Sequence, residues 1–189
     1  MWPWEHLAFG YLWYSVLTRL AGDHRVGDAE AVALGVGTVL PDLVDKPLSW
    51  SLGVTATGYG PAHSLFVGAP LVAALAALAW RRGHGPPGAA FAVGYASHLL
   101  GDVLAFRADG PVLSKLLWPA AAQEPYTVDR SLLGRAGSYF GEFLATATQP
   151  DHLALALGYA GVLVAVVLLW AADGAPGVHW LRGDVDGRR

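Results

Sequence analysis

The stretch LALALGYAGVLVAVVLLWAA, residues 153–172, runs for twenty residues without a charge. At about 1.5 Å of rise per residue it reaches roughly 30 Å, the hydrocarbon thickness of a bilayer. Tyr159 and Trp170 lie towards its two ends, where interfacial aromatics collect. This pattern predicts a membrane-spanning helix, and it sets the solvent in which the remaining sequence is read.

Composition agrees. Hydrophobic residues make up 54% of the 189 and charged residues 14%, against about 25% charged in a soluble domain. Mean hydropathy is +0.40. Four further apolar segments precede the first: Trp2–Ala21, Ala29–Leu48, Ala62–Trp80 and Gly88–Phe106. The fold class expected is therefore all-α, a transmembrane bundle of about five membrane-embedded helices forming one domain over residues 1–173. Residues 107–152 read as an interfacial segment. Within it a helix over Ser131–Thr146 mixes Arg135 and Glu142 with Leu132, Leu133, Phe140, Phe143 and Leu144, which suits an interface better than a span. Residues 174–189 are polar and Gly-rich and read as a flexible tail.

Several function classes fall away at once. A net charge of −3 without a broad basic face gives no footprint for nucleic acid. The absence of cysteine removes disulfides, thiolate metal sites and thiol nucleophiles. No P-loop, Gly-x-Ser-x-Gly elbow or His-Glu-x-x-His run occurs. Trp2-Pro3-Trp4-Glu5-His6 lacks the basic start of a signal peptide. Arg19 and Arg25, Arg81 and Arg82, and Arg182, Arg188 and Arg189 occupy alternate connections, while 50–61 holds no Lys or Arg. The positive-inside rule then makes those basic ends cytoplasmic in a multi-pass cell-membrane protein.

Ionisable side chains within apolar helices cost ~2.5–3.5 kcal/mol each at the bilayer centre, so they face a partner or a cavity. Six qualify: His6, Asp42, Asp45, His63, His98 and Asp102. His98 and Asp102 are four apart and Asp42 and Asp45 three apart, so each pair shares a helix face. In an alternating bundle all six fall at one membrane face, the extracytoplasmic one, opposite the arginines. Imidazole and carboxylate without thiolate are the ligand types for a divalent ion, Zn²⁺ first and Mn²⁺ or Fe²⁺ as alternatives. Asp109 and Lys115 read as solvated loop charges, His152 beside Asp151 as a helix cap, and His24, His84 and His179 lie away from the group. The tryptophans read as interface anchors and packing.

The elements Glu5-His6, Leu40-Pro41-Asp42-Leu43-Val44-Asp45, Ala62-His63-Ser64-Leu65 and Ser97-His98-Leu99-Leu100-Gly101-Asp102 together resemble the YdjM-type membrane-bound metal-dependent hydrolases. The resemblance covers roughly residues 1–120 and includes Gly110 and Leu116-Leu117-Trp118-Pro119. More remotely the pattern is similar to the all-helical zinc-dependent phospholipase C and P1-type nuclease group. Where relatives carry a His-Arg-Gly run ahead of the His-Ser pair, this chain reads Gly58-Tyr59-Gly60-Pro61-Ala62-His63-Ser64. The resemblance implies a hydrolase acting on ester or phosphoester bonds of a lipid or lipid-like substrate. His6, Asp42, His63, His98 and Asp102 would be ligands. Asp45 would be a ligand, a bridge to a second ion or a general base, and Ser64 a residue orienting ligand or substrate. Membrane lipids are then the expected partners. The competing readings are an intramembrane His/Asp ion or proton transporter, a haem protein using His63 and His98, and a non-catalytic membrane scaffold.

Overall fold

Every regular element among the described residues of the computed structural model is helical; these are residues 1–22, 24–104, 112–121, 123–126 and 131–181. The helices are α1 (Pro3–Gly22), α2 (Asp28–Trp50), α3 (Gly68–Arg81), α4 (Gly85–Leu104), α5 (Leu132–Ala147), α6 (Leu153–Ala172) and the single turn α7 (Val178–Leu181). Three 3₁₀ turns, Pro61–His63, Leu113–Leu116 and Pro150–His152, punctuate the connections. Asp109, Gly110 and the end of the expected segment Gly88–Phe106 lie outside the described residues, as do 182–189 of the tail.

The expected boundaries of the first, second and last apolar helices agree closely with α1, α2 and α6. Ala62–Trp80 does not form one helix. It begins with the 3₁₀ turn, becomes extended at Ser64, and turns α-helical only at Gly68. Side chains account for the difference. Asp45 accepts the N–H groups of Gly60, Ala62 and His63, and the Ser64 hydroxyl accepts those of Phe66 and Val67. Backbone donors satisfied in this way need no helix.

By length and composition, one helix among the described residues, Pro150–Ala172, is able to cross a membrane; α3 is apolar but short. The distribution of polarity says more. The largest fully buried side chains are His6, His63, His98, Thr38, Asp45, Pro41, Ser15 and Ser64, all polar but one. Leu12, Trp13, Val16 and Leu17 on α1, Val36 and Leu43 on α2, Leu71, Leu75 and Leu78 on α3, and most of α6 are exposed. A polar interior beneath an apolar exterior is the reverse of a water-soluble domain.

Helices α2 and α4 form the centre. They run parallel, with Leu34 beside Gly94 and Thr38 beside His98. Their contact depends on two glycines. A Cβ on Gly37 would stand 2.3 Å from the Phe91 carbonyl oxygen, and one on Gly94 2.4 Å from that of Leu34. Such backbone approach through small residues is a recurrent way of joining helices in lipid, where apolar burial supplies little drive. α1 and α3 flank this pair, with Tyr11, Tyr14, Leu34 and Ala90 in one apolar cluster and Val72, Tyr95, Leu99 and Leu116 in a second.

At one end of the bundle Tyr14 donates to Glu30, and Asp173 accepts from Tyr11, Ser15 and Arg19, which fastens the end of α6 to α1. Beyond α6, Gly177 N–H donates to Asp28, so residues 174–181 return to the start of α2. At the opposite end lie the start of α1 and the ends of α2 and α4. Helix α5, capped by Ser131 accepting from Gly134 N–H, crosses this end. Its Tyr139 meets Trp50 edge-on at 6.1 Å, while Phe140 and Phe143 meet Trp2 at 5.8 and 5.9 Å.

Candidate metal centre

Four side chains from three separate elements converge at that end. Asp42 comes from α2, His63 from the 3₁₀ turn before α3, and His98 and Asp102 from one face of α4. One ligand atom from each lies within 4.8 Å of all the others, and all four residues are buried. His63 Nε2 stands 3.1 Å from His98 Nε2, 3.6 Å from Asp42 Oδ1 and 3.4 Å from Asp102 Oδ2. His98 Nε2 lies 3.8 Å from Asp42 Oδ1 and 3.5 Å from Asp102 Oδ2.

The far nitrogen of each ring fixes the near one. His98 Nδ1 is 2.7 Å from the Thr38 carbonyl oxygen, which can only accept, so Nδ1 carries the proton. His63 Nδ1 is 2.8 Å from Asp45 Oδ2 and donates to that carboxylate. In the neutral rings both Nε2 atoms therefore present lone pairs to each other and to two carboxylate oxygens. Asp42 Oδ1 has no hydrogen-bond partner, nor has either ring nitrogen of His6. A buried cluster of acceptors without a donor is unfavourable alone and suits a cation. The residues present thus fit a divalent metal with two nitrogen and two oxygen donors.

The other expected residues take different places. The His6 ring stacks on His98 with centroids 3.8 Å apart, and its Nε2 lies 3.4 Å from Asp102 Oδ1, at the margin of the group. Asp45 is completely buried, with Oδ2 accepting from Gly60 N, His63 N and His63 Nδ1 and Oδ1 from Ala62 N. It holds His63 from behind and does not converge with the four. Ser64 donates to the Trp118 carbonyl at 2.5 Å and accepts from the Phe66 and Val67 N–H groups just ahead of α3, and it is not among the four converging residues. His152 forms no side-chain cap at the start of α6, contrary to the expected role.

Sequence reasoning missed five contributors. Lys46 pairs with Asp42 Oδ2, leaving Oδ1 turned to the cluster; its i,i+4 spacing was the available signal. Lys115 is no solvated loop charge: it is half-buried, donates to the Asp102 carbonyl at 2.8 Å and lies 4.9 Å over the Tyr59 ring. Tyr59 in turn meets His63 edge-on at 5.0 Å. Neither Lys115 nor Tyr59 has a periodic signature, and the Thr38 carbonyl is backbone, invisible to any motif. The Met1 ammonium lies 3.2 Å from Asp102 Oδ1.

Electrostatics outside the helices reflect the carboxylates. Burial disfavours charge on His63, but the surrounding carboxylates of Asp102, Asp45 and Asp42 outweigh it and raise its proton affinity. Burial, then the charges of Asp102 and Asp42, push the Tyr59 phenol well above its ordinary range. Burial holds the Lys115 ammonium below its ordinary value, with Asp102 opposing that shift.

The model of the YdjM inner membrane protein family matches residues 1–177, and the chain belongs to that family. Its location is accordingly a membrane. No curated protein and no solved structure matches the chain.

Proposed function

We propose that this member of the YdjM family is a multi-pass membrane hydrolase whose metal centre cleaves ester or phosphoester bonds in a lipid-like or membrane-proximal substrate. One observation carries the reading: two imidazole lone pairs and two carboxylate oxygens, all buried, meet at one point with no donor among them. Asp42, His63, His98 and Asp102 are the ligands, and zinc, manganese or iron(II) suits such a set. His6, with both ring nitrogens unpartnered, is a further donor at the margin. A divalent ion held there supplies Lewis acidity towards water and an ester oxygen.

The chain's own residues prepare that site. Asp45 and the Thr38 carbonyl fix the tautomer and direction of the two imidazoles, the usual task of groups behind the ligands. Lys46 restrains one oxygen of Asp42 so that the other points inward. Tyr59 covers His63. Helices α1 to α4 are the remaining membrane-embedded elements, which their apolar outer faces support. The arginine-rich connections 81–82 and 19–25 lie at the end opposite the ligands, so the metal faces the extracytoplasmic side.

Metal analysis of detergent-purified protein beside the H98A/D102A double variant tests the reading. Stoichiometric metal in the wild type and none in the variant is expected; equal, near-zero content in both refutes the site. Hydrolysis of lipid and phosphoester panels by the metal-loaded protein then separates an enzyme from a transporter.

A further inference from the structure

Two lysines lie beside the ligand cluster, and one has no ion-pair partner among the described residues. Lys46 is paired with Asp42 and lies 5.5 Å over the Trp50 ring. Lys115 reaches the Asp102 carbonyl and the Tyr59 ring, yet no carboxylate oxygen among the described residues lies within ion-pair distance of its ammonium. A half-buried ammonium held by a carbonyl dipole and a ring face has lost water without gaining a carboxylate in direct contact. The Tyr59 that it covers also lines a cavity of about 290 Å³, with Thr55, Thr57, Trp118, Pro119 and Gln123 as other walls. Thr57 and Gln123 give that cavity polar side chains, bonded to each other at 2.9 Å.

The charges around the centre point the same way. Asp42, Asp45 and Asp102 bring three negative charges, whereas Lys46, Lys115, the Met1 ammonium and a divalent ion bring five positive ones. The loaded centre therefore carries surplus positive charge in a poorly hydrated place. A neutral carboxylic ester does nothing for that surplus; an anion neutralises it.

We infer that the substrate group is anionic and phosphate-like, bound between the metal and Lys115 with its remaining bulk in the cavity beside Tyr59. This rests on the metal reading above and narrows its substrate class. Lys115 is a binding residue in this assignment, supplying a charge-assisted hydrogen bond to a non-bridging phosphate oxygen.

The test titrates orthophosphate, and separately a short-chain phosphatidic acid, into the zinc-loaded full chain in a neutral detergent. Wild type and the variants K115M and K115R are compared, with metal content measured on each sample. The expected result is phosphate binding by the wild type, at least about tenfold weaker binding by K115M, substantial recovery in K115R, and the same metal content throughout. Tighter binding of the phosphatidic acid identifies a lipid headgroup as the source, and equal or weaker binding identifies a soluble phosphate compound; either supports the assignment. Metal retained with no phosphate bound, phosphate bound equally by K115M, or loss of metal in K115M overturns it. A wild type without metal refutes the metal reading itself, so the two failures are told apart.

Discussion

Replacing Asp45 by asparagine preserves the shape of the side chain and removes its charge where two roles give opposite results. Asp45 Oδ2 accepts from Gly60 N at 2.8 Å, His63 N at 2.9 Å and His63 Nδ1 at 2.8 Å, and Oδ1 accepts from Ala62 N at 3.1 Å. An amide offers one oxygen to these four donors and turns its own N–H groups towards the rest. At least one buried N–H is left unpartnered, a loss of about 1–3 kcal/mol in stability. His63 keeps its ring but loses the carboxylate that fixes its tautomer and strengthens Nε2 as a donor. Loss of such a supporting group weakens metal binding about 10–100-fold, or ~1.4–2.7 kcal/mol. The assay is chelator competition for zinc in detergent, with thermal unfolding measured in parallel. D45N should hold one equivalent of metal with affinity reduced in that range, while D102A, which loses a converging oxygen, should hold none. Unchanged affinity in D45N refutes the reasoning. So does complete metal loss from a D45N protein that remains folded, since that makes Asp45 a ligand.

Chelation should lower the unfolding temperature of the wild type and leave H98A/D102A unmoved, because ligand binding stabilises only a chain that binds; equal shifts in both refute a site made of these residues. G37A should destabilise by about 1–3 kcal/mol or more, since its Cβ would meet the Phe91 carbonyl, whereas G161A, with nothing within 4 Å, should be neutral; thermal unfolding in detergent compares them. D173N should loosen α6 by about 1–3 kcal/mol through its bonds to Tyr11, Ser15 and Arg19, with metal content unchanged. Metal analysis with the same melts reads this, and a loss of metal would link the two ends of the bundle. Because the chain contains no cysteine, S51C and R82C can be probed singly with an impermeant thiol reagent on whole cells. S51C should label and R82C should not; the reverse result inverts the topology.

The helices were largely legible from local pattern. Twenty uncharged residues from Leu153 to Ala172 specify a helix in lipid because no other structure satisfies their backbone there. His98 and Asp102 could be placed on one helix face from spacing alone, and so could Asp42 and Asp45. Spacing failed where side chains replaced the helical hydrogen-bond pattern: Asp45 and Ser64 take the N–H groups of 60–67, and a turn stands where an apolar run suggested a helix.

The residue types of the site were likewise present in the sequence, but their roles were not. Asp42 and Asp45 are three apart on one helix, equally acidic and both buried. Only the path of residues 60–63 over Asp45 surrounds it with donors, and only Lys46 and the turn of α2 leave Asp42 Oδ1 bare. Lys115 reaches Asp102 from a segment with no periodic signal, and His98 is oriented by a carbonyl that Gly37 and Gly94 bring into range. A helix face follows from the 3.6-residue period of the chain. Which atom of a residue points at a cation follows from hydrogen bonds between segments distant in sequence, and those exist only once the helices have packed.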